Sequence, residues 1–173
     1  MNALVMLSLT ILAALLQAVI PSFPRLGQAN IPALAAIVVY YALARDRRDL
    51  ITVAILAGLI QDGMGLIPFG YSPVAFGVMG VLISKCKELV FVHELLTHML
   101  FGILMAVGST LILYILLTST NLIDLRASQA LHRVAGSALL GAVATPILFR
   151  GCAHLDRMMG LVESTDSPWQ EIR

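Results

Sequence analysis

Long parts of this 173-residue chain carry almost no charge, and this constrains the fold more than any other feature. Between Asp49 and Lys85, for example, the one charged side chain is that of Asp62. Charged residues make up 12% of the chain, against roughly a quarter in a globular protein, and the mean hydropathy is +0.92. About 20 consecutive apolar residues suffice to cross a bilayer as a helix. The composition therefore predicts a multi-pass protein of the lipid bilayer.

Charged and proline-rich breaks divide the sequence into six apolar segments. We predict an all-α, six-transmembrane-helix bundle that forms a single integral membrane domain over residues 1–173. Asn30 and Pro32 suggest an N-cap followed by a proline in the first turn of the second helix. The first segment lacks a charged n-region and a small-residue cleavage site, which favours a retained helix over a signal peptide. The expected helices cover about residues 3–20, 30–44, 50–63, 73–89, 95–117 and 128–149, with a short cytoplasmic tail from residue 150.

The distribution of Lys and Arg predicts the orientation of these helices, because cytoplasmic loops of membrane proteins are enriched in both. With the N-terminus and the C-terminus inside, eight cations face the cytoplasm and three face outward. The inner set is Arg45, Arg47, Arg48, Lys85, Lys87, Arg150, Arg157 and Arg173, and the outer set is Arg25, Arg126 and Arg133. This topology places the segment after Asp62 on the outer face.

Asp62 is the acidic residue that lies within an apolar run. An ionisable group at membrane depth costs enough free energy to indicate a structural or functional role. Ala54, Gly58 and Asp62 recur at intervals of four, so one narrow helix face should turn the acid toward a neighbouring helix. Small residues repeat in the same way on the sixth helix, with Ser137 before Gly141 and Ala138 before Ala142.

Two interpretations of the Asp62 segment remain open. In the first, Gly63 and Gly65 permit positive φ at the helix end, Pro68 and Pro73 fix the return of the chain, and Asp62 binds nearby backbone donors. In the second, Asp62 contacts a partner helix, a ligand or a proton. The candidate partner-binding or ligand-binding residues are Asp62, Gly58, Gln61, Gly65, Pro68, Gly70 and Tyr71.

Catalytic and metal-binding patterns are missing from the sequence. His93-Glu94 resembles the start of a zinc-protease helix, but Thr97 stands where the second histidine is required and His98 is one residue off that face. Cys86 and Cys152 have no neighbouring cysteine at metal-ligand spacing. No Gly-x-Ser-x-Gly or phosphate-loop pattern occurs, and no basic stripe suits nucleic acid. We therefore expect neither an enzyme nor a bound metal or cofactor.

Several of these patterns together resemble the MreD family of rod shape-determining proteins. The resemblance begins at Asn30-Ile-Pro, with the apolar run to Tyr40-Tyr41 and the basic turn of residues 45–48. In that family the third helix closes with Gly-x-x-x-Asp, which Gly58 and Asp62 match. A short turn with glycine and proline follows in the family, and Gly65 and Pro68 match it. The family then has a Leu-Gly-like pair, which Phe69-Gly70 matches. The sequence Gln61-Asp62-Gly63 departs from the family, where an apolar residue commonly follows the acid. Pro146 is similar to a proline that members often carry in the last helix.

This resemblance implies a non-enzymatic subunit of the bacterial cell-elongation machinery in the cytoplasmic membrane. The implied partner is the bitopic protein MreC and, through it, MreB, the RodA polymerase and a class B penicillin-binding protein. The implied fold is similar to that of the substrate-binding subunits of energy-coupling-factor transporters. Ala14 and Ala18 on the first helix resemble the Ala-x-x-x-Ala contact motif of those subunits. An alternative is accordingly a vitamin-binding subunit of such an importer, with residues 64–72 as a lid over the ligand.

Overall fold

A computed structural model of the chain describes residues 3–20, 30–65, 68–86, 95–120 and 127–158. Over these residues the chain forms six α-helices and no β-strand, as the all-α prediction requires. In chain order the helices are α1 (Ala3–Val19), α2 (Ala33–Ala44), α3 (Arg47–Gly65), α4 (Tyr71–Cys86), α5 (Leu95–Ser119) and α6 (Ala127–Met158).

Helix α2 is the centre of the bundle. It packs against each of the other five helices, and every residue from Ala33 to Leu43 is buried. Its sequence, ALAAIVVYYALA, is apolar on all sides, as is typical of a helix enclosed by protein. The other helices follow one another around it in the order α1, α3, α4, α5 and α6. The hydrophobic core therefore lies around α2.

Each of the five outer helices shows an exposed apolar face. Large apolar residues recur there at spacings of three and four, which place them on one side of a helix. Examples are Leu12, Leu15, Leu16 and Val19 on α1; Ile51, Ile55 and Leu59 on α3; Val74, Val78 and Leu82 on α4; Leu100, Leu104, Leu111 and Ile115 on α5; and Leu139, Val143 and Ile147 on α6. Within the described parts of the chain, two helical segments, Leu96–Ser119 and Val134–Leu155, are long and apolar enough to cross a membrane.

The start of α2 differs from the prediction that Asn30 would cap it. The helix begins at Ala33, and Pro32 occupies the N-cap position without a side-chain hydrogen bond. Instead, the amide of Leu34 donates a hydrogen bond to Oε1 of Gln17 on α1, at 3.3 Å. A side chain from another helix thus satisfies a donor that a local cap would otherwise bind.

The end of α6 was also predicted wrongly, because the helix continues past residue 149 to Met158. The extension has a packing reason. Cys152 is buried, and Ala153 and Leu155 pack against the core. Helical apolar spacing thus persists through residues that were expected to form a tail, and Pro146 lies inside the helix without ending it.

Helices α5 and α6 approach each other through glycine. A β-carbon added to Gly141 would lie 2.7 Å from Cβ of Ala106 and 2.7 Å from the carbonyl oxygen of Gly102. Ser137, one turn earlier, accepts a hydrogen bond from Oγ1 of Thr110 at 3.3 Å. Of the small residues predicted on the sixth helix, Ser137 and Gly141 therefore face α5, and Gly141 lets the two backbones come together.

Candidate functional site

Asp62 lies in the last turns of α3 and is buried, with 1% of its surface exposed. Its carboxylate accepts hydrogen bonds from two backbone amides at the start of α4. Gly70 N donates to Oδ2 at 2.8 Å, and Ser72 N donates to Oδ1 at 3.1 Å. Of the two interpretations that the sequence left open, the structure places Asp62 on backbone donors, as the first requires.

Gly70 is the N-cap residue of α4, since its carbonyl accepts the hydrogen bond from Val74 N at 3.4 Å. An N-cap residue usually supplies a side-chain oxygen to the amides of the first turn, and glycine has none. Asp62 supplies that oxygen from α3. A negative charge at this position also interacts favourably with the dipole of α4. The two helices are thus joined through a cap that is shared between them.

Gly70 is also the residue that turns the chain. Its φ is +107°, a conformation that residues with a side chain rarely adopt. Gly63 and Gly65 were expected to have positive φ, and this prediction is wrong. Both belong to α3, which extends to Gly65, and Gly70 is the one positive-φ glycine among the described residues. Helix α3 therefore continues through both glycines.

Gly58 lets the two helices approach each other closely, one turn before Asp62. A β-carbon at position 58 would lie 2.7 Å from Cδ of Pro73 and closer still to its backbone nitrogen and Cα. Ala54 and Gly58 are buried together with Asp62, as their spacing predicted. Side chains larger than hydrogen at position 58 would therefore push the first turn of α4 away from the acid that caps it.

Gln17 extends this polar contact to two further helices. Its Nε2 donates a hydrogen bond to Oε1 of Gln61 at 2.8 Å, and its Oε1 accepts one from the amide of Leu34. One side chain of α1 thereby binds both the end of α3 and the start of α2. We call Gln17, Gln61, Asp62, Gly70 and Ser72 the polar joint.

The structure brings some predicted site residues together and separates others. Gly58, Asp62 and Gly70 meet at the contact of α3 with α4, whereas Gln61 binds Gln17 of α1. Gly65 and Pro68 are exposed on the rim of that contact, and Tyr71, the first residue of α4, is half-buried. Gln17 was not among the predicted site residues, although an amide within an apolar run was the available signal.

The chemistry of the polar joint is that of a structural contact. The carboxylate oxygens of Asp62 and the amide of Gln61 are engaged within the protein. Among the described residues, no group of three or more His, Cys, Asp or Glu could hold a metal ion. Ser72 Oγ is buried without a hydrogen-bond partner. The arrangement fixes the relative positions of four helices at one end of the bundle.

The fold and the polar joint are those of a small all-helical protein. Its outer helices expose apolar faces, and a residue of α3 caps α4. The family model for the rod shape-determining protein MreD matches residues 1–149, and the chain belongs to this family. No curated protein and no solved structure gives a significant match. Membership indicates a role in rod shape determination, in a family that is membrane-associated and structural.

Proposed function

We propose that the chain is a non-enzymatic scaffold of the cell-elongation machinery, which binds the bitopic protein MreC in the bacterial cytoplasmic membrane. Through MreC it would act with MreB, the RodA polymerase and a class B penicillin-binding protein to support peptidoglycan synthesis. The observation that carries the proposal is the cap of α4 by Asp62. This cap fixes α3 relative to α4, and a partner helix needs such a rigid surface. The carboxylate of Asp62 is bound within the protein, which fits a structural role better than a chemical one.

The membrane part of the proposal is a bundle of six spans in one domain, with both termini in the cytoplasm. Its support is the distribution of apolar residues, since the outer helices expose them while α2 is enclosed. Exposed apolar surface of this extent is unusual on a soluble monomer. In lipid it is the expected outer surface, and backbone groups are satisfied within each helix. We also propose that this six-span bundle has a fold similar to that of the substrate-binding subunits of energy-coupling-factor vitamin transporters.

A vitamin-binding role is less well supported than a scaffold role. The polar groups available for a ligand at this end are chiefly Gln61, Asp62, Tyr71 and Ser72. Gln61 is bound to Gln17, and Asp62 is bound to the amides of Gly70 and Ser72. A ligand would have to displace internal hydrogen bonds of the fold.

Co-purification with MreC tests the scaffold role. We expect Asp62→Leu and Gly58→Leu to reduce the yield of the complex strongly, because each change disturbs the contact of α3 with α4. Gly77→Ala on α4 is the matched control, since a β-carbon there meets nothing within 4 Å. Monodispersity and helix content of each variant in detergent separate lost binding from lost folding. An unchanged yield for folded Asp62→Leu would contradict the assignment of the site.

Labelling of single cysteines tests the orientation. In a background without Cys86 and Cys152, an impermeant thiol reagent added outside should modify a cysteine at position 71 but not one at position 47. Permeabilised cells should show modification at both positions. The opposite pattern would reverse the proposed topology.

A further inference from the structure

Three outer helices end their exposed apolar stripes at a cation. On α3, Arg48 precedes the stripe of Ile51, Ile55 and Leu59 by three residues, and Arg47 precedes it by four. On α4, Lys85 follows Leu82 by three residues. Arg150 follows Ile147 by three on α6. Residues three and four apart share a helix face, so each cation continues the line of its stripe. Arg47, Arg48, Lys85 and Arg150 are all exposed.

The basic ends of α3 and α4 lie at the same end of the bundle. Leu50 in the first turn of α3 packs against Gly80 in the second half of α4, and a β-carbon on Gly80 would lie 3.0 Å from Cδ1 of Leu50. The polar joint connects the other ends of the same two helices. Arg47, Arg48 and Lys85 therefore lie at the same end of the α3–α4 pair, opposite to Asp62.

The Lys and Arg side chains that the structure describes lie at one end of the bundle. Among the side chains that the structure describes, the basic end has five cations, Arg45, Arg47, Arg48, Lys85 and Arg150, and two acids, Asp46 and Asp49. At the opposite end Asp62 is the one described Asp, Glu, Lys or Arg side chain, and backbone amides bind it. Arg47, Arg48 and Lys85 are thus exposed cations at the positions where the apolar stripes of α3 and α4 stop.

We propose that the seam between α3 and α4 binds an anionic phospholipid of the phosphatidylglycerol type. Its phosphate lies at Arg47, Arg48 and Lys85, and its two acyl chains follow the stripes of the two helices. The combination of a cationic head position and two apolar tracks fits a lipid with one negative charge and two chains. Arg and Lys stems can lie along apolar surface while their charged ends reach the headgroup. This inference rests on the proposed location in a membrane.

The experiment compares spin-labelled phosphatidylglycerol with spin-labelled phosphatidylcholine at the surface of the full chain, reconstituted in phosphatidylcholine vesicles. We expect a preference for phosphatidylglycerol that decreases with added salt, because salt screens charges outside the bilayer. Each cation near an anionic lipid is worth about fivefold in affinity. Arg48→Gln or Lys85→Gln alone should lower the preference by roughly this factor, and Arg47→Gln/Arg48→Gln/Lys85→Gln should abolish it.

A matched control removes three cations that the proposed topology assigns to the other face. Arg25→Gln/Arg126→Gln/Arg133→Gln loses the same total charge and should keep the preference. An equal loss in both triple variants would overturn the site, because it would indicate a response to net charge. Retention of the preference in the α3–α4 variant would overturn it too, and so would equal competition by inorganic phosphate. The two single variants serve if the triple variant does not fold.

Membrane insertion is measured separately, by resistance of the reconstituted chain to alkaline extraction. A chain that resists extraction but shows no preference for phosphatidylglycerol would refute the lipid site and leave the proposed scaffold intact. A chain that alkaline extraction removes would refute the membrane location itself, and with it both proposals.

Discussion

Oδ2 of Asp62 on α3 lies 2.8 Å from the backbone nitrogen of Gly70, the residue that caps α4. Because glycine cannot cap a helix with its own side chain, the two residues have complementary roles. Gly70 provides the turn, and Asp62 provides the acceptor. The start of α4 therefore depends on a residue that lies eight positions earlier in the chain.

Replacement of Asp62 should destabilise the protein in proportion to the acceptors lost. Asp62→Leu removes the acceptor of the part-buried amide of Gly70 and of the buried amide of Ser72. An unsatisfied buried group costs about 1–3 kcal/mol. Asp62→Asn keeps one oxygen and should lie between Asp62→Leu and the original protein. Unfolding in mixed detergent micelles measures the free energies. Asp46→Asn is the comparison: Asp46 is the N-cap residue of α3, since its carbonyl accepts a hydrogen bond from Leu50 N at 3.0 Å. Asparagine caps a helix about as well as aspartate, so this change should cost less than Asp62→Leu.

Gly58 should not tolerate even one added methyl group. Gly58→Ala places a β-carbon against the backbone of Pro73, and overpacking of this kind costs typically about 1–3 kcal/mol. Gly77→Ala adds the same group in open space on α4 and should be neutral, or stabilising by up to about 1 kcal/mol through helix propensity. Thermal unfolding of the two variants in the same detergent provides the comparison. Equal melting temperatures would argue against a tight α3–α4 contact.

Gly70 and Gly63 should respond in opposite directions to alanine. Gly70→Ala forces a side chain into φ +107° and should destabilise the protein by about 1 kcal/mol or more, although no atom lies within 4 Å of the new carbon. Gly63 is helical and exposed, so Gly63→Ala should be neutral or stabilising. The same denaturation assay decides between them. A larger loss of stability for Gly63→Ala than for Gly70→Ala would indicate that the glycine required for its conformation is Gly63, near the end of α3.

The Gln17–Gln61 contact should show a measurable coupling energy. Gln17→Ala removes hydrogen bonds to Gln61 and to the amide of Leu34, whereas Gln61→Ala removes one of them. Gln17→Ala should therefore be the more destabilising single change. A double-mutant cycle should give about 0.6 kcal/mol for the side-chain pair, the average for hydrogen bonds between membrane helices. A coupling energy of zero would indicate that the amides do not bind each other in solution.

Much of the architecture follows directly from the sequence. An apolar chain with charges between its segments can bury its backbone polar groups in few ways, and a helical bundle is the simplest. The positions of Ala54, Gly58 and Asp62 on one helix face followed from the helical period alone. The same spacing indicated a close-packing face at Ser137 and Gly141 on the sixth helix, and the structure identified α5 as the helix that it meets. These features depend on the helical period and on side-chain size, and both can be read from the sequence.

Other features required the tertiary structure. Neither Pro32 nor Gly70 carries a side chain that can cap a helix, so the amides at the starts of α2 and α4 needed acceptors from elsewhere. Gln17 and Asp62 supply them across helix contacts, and the sequence alone does not say which distant acceptor will meet which donor. The continuation of α6 past residue 149 also depends on packing, because Cys152 is buried there. The sequence by itself determined a helical bundle with a buried acid, and the tertiary structure decided what that acid binds, because hydrogen bonds between helices form only where packing brings the groups together.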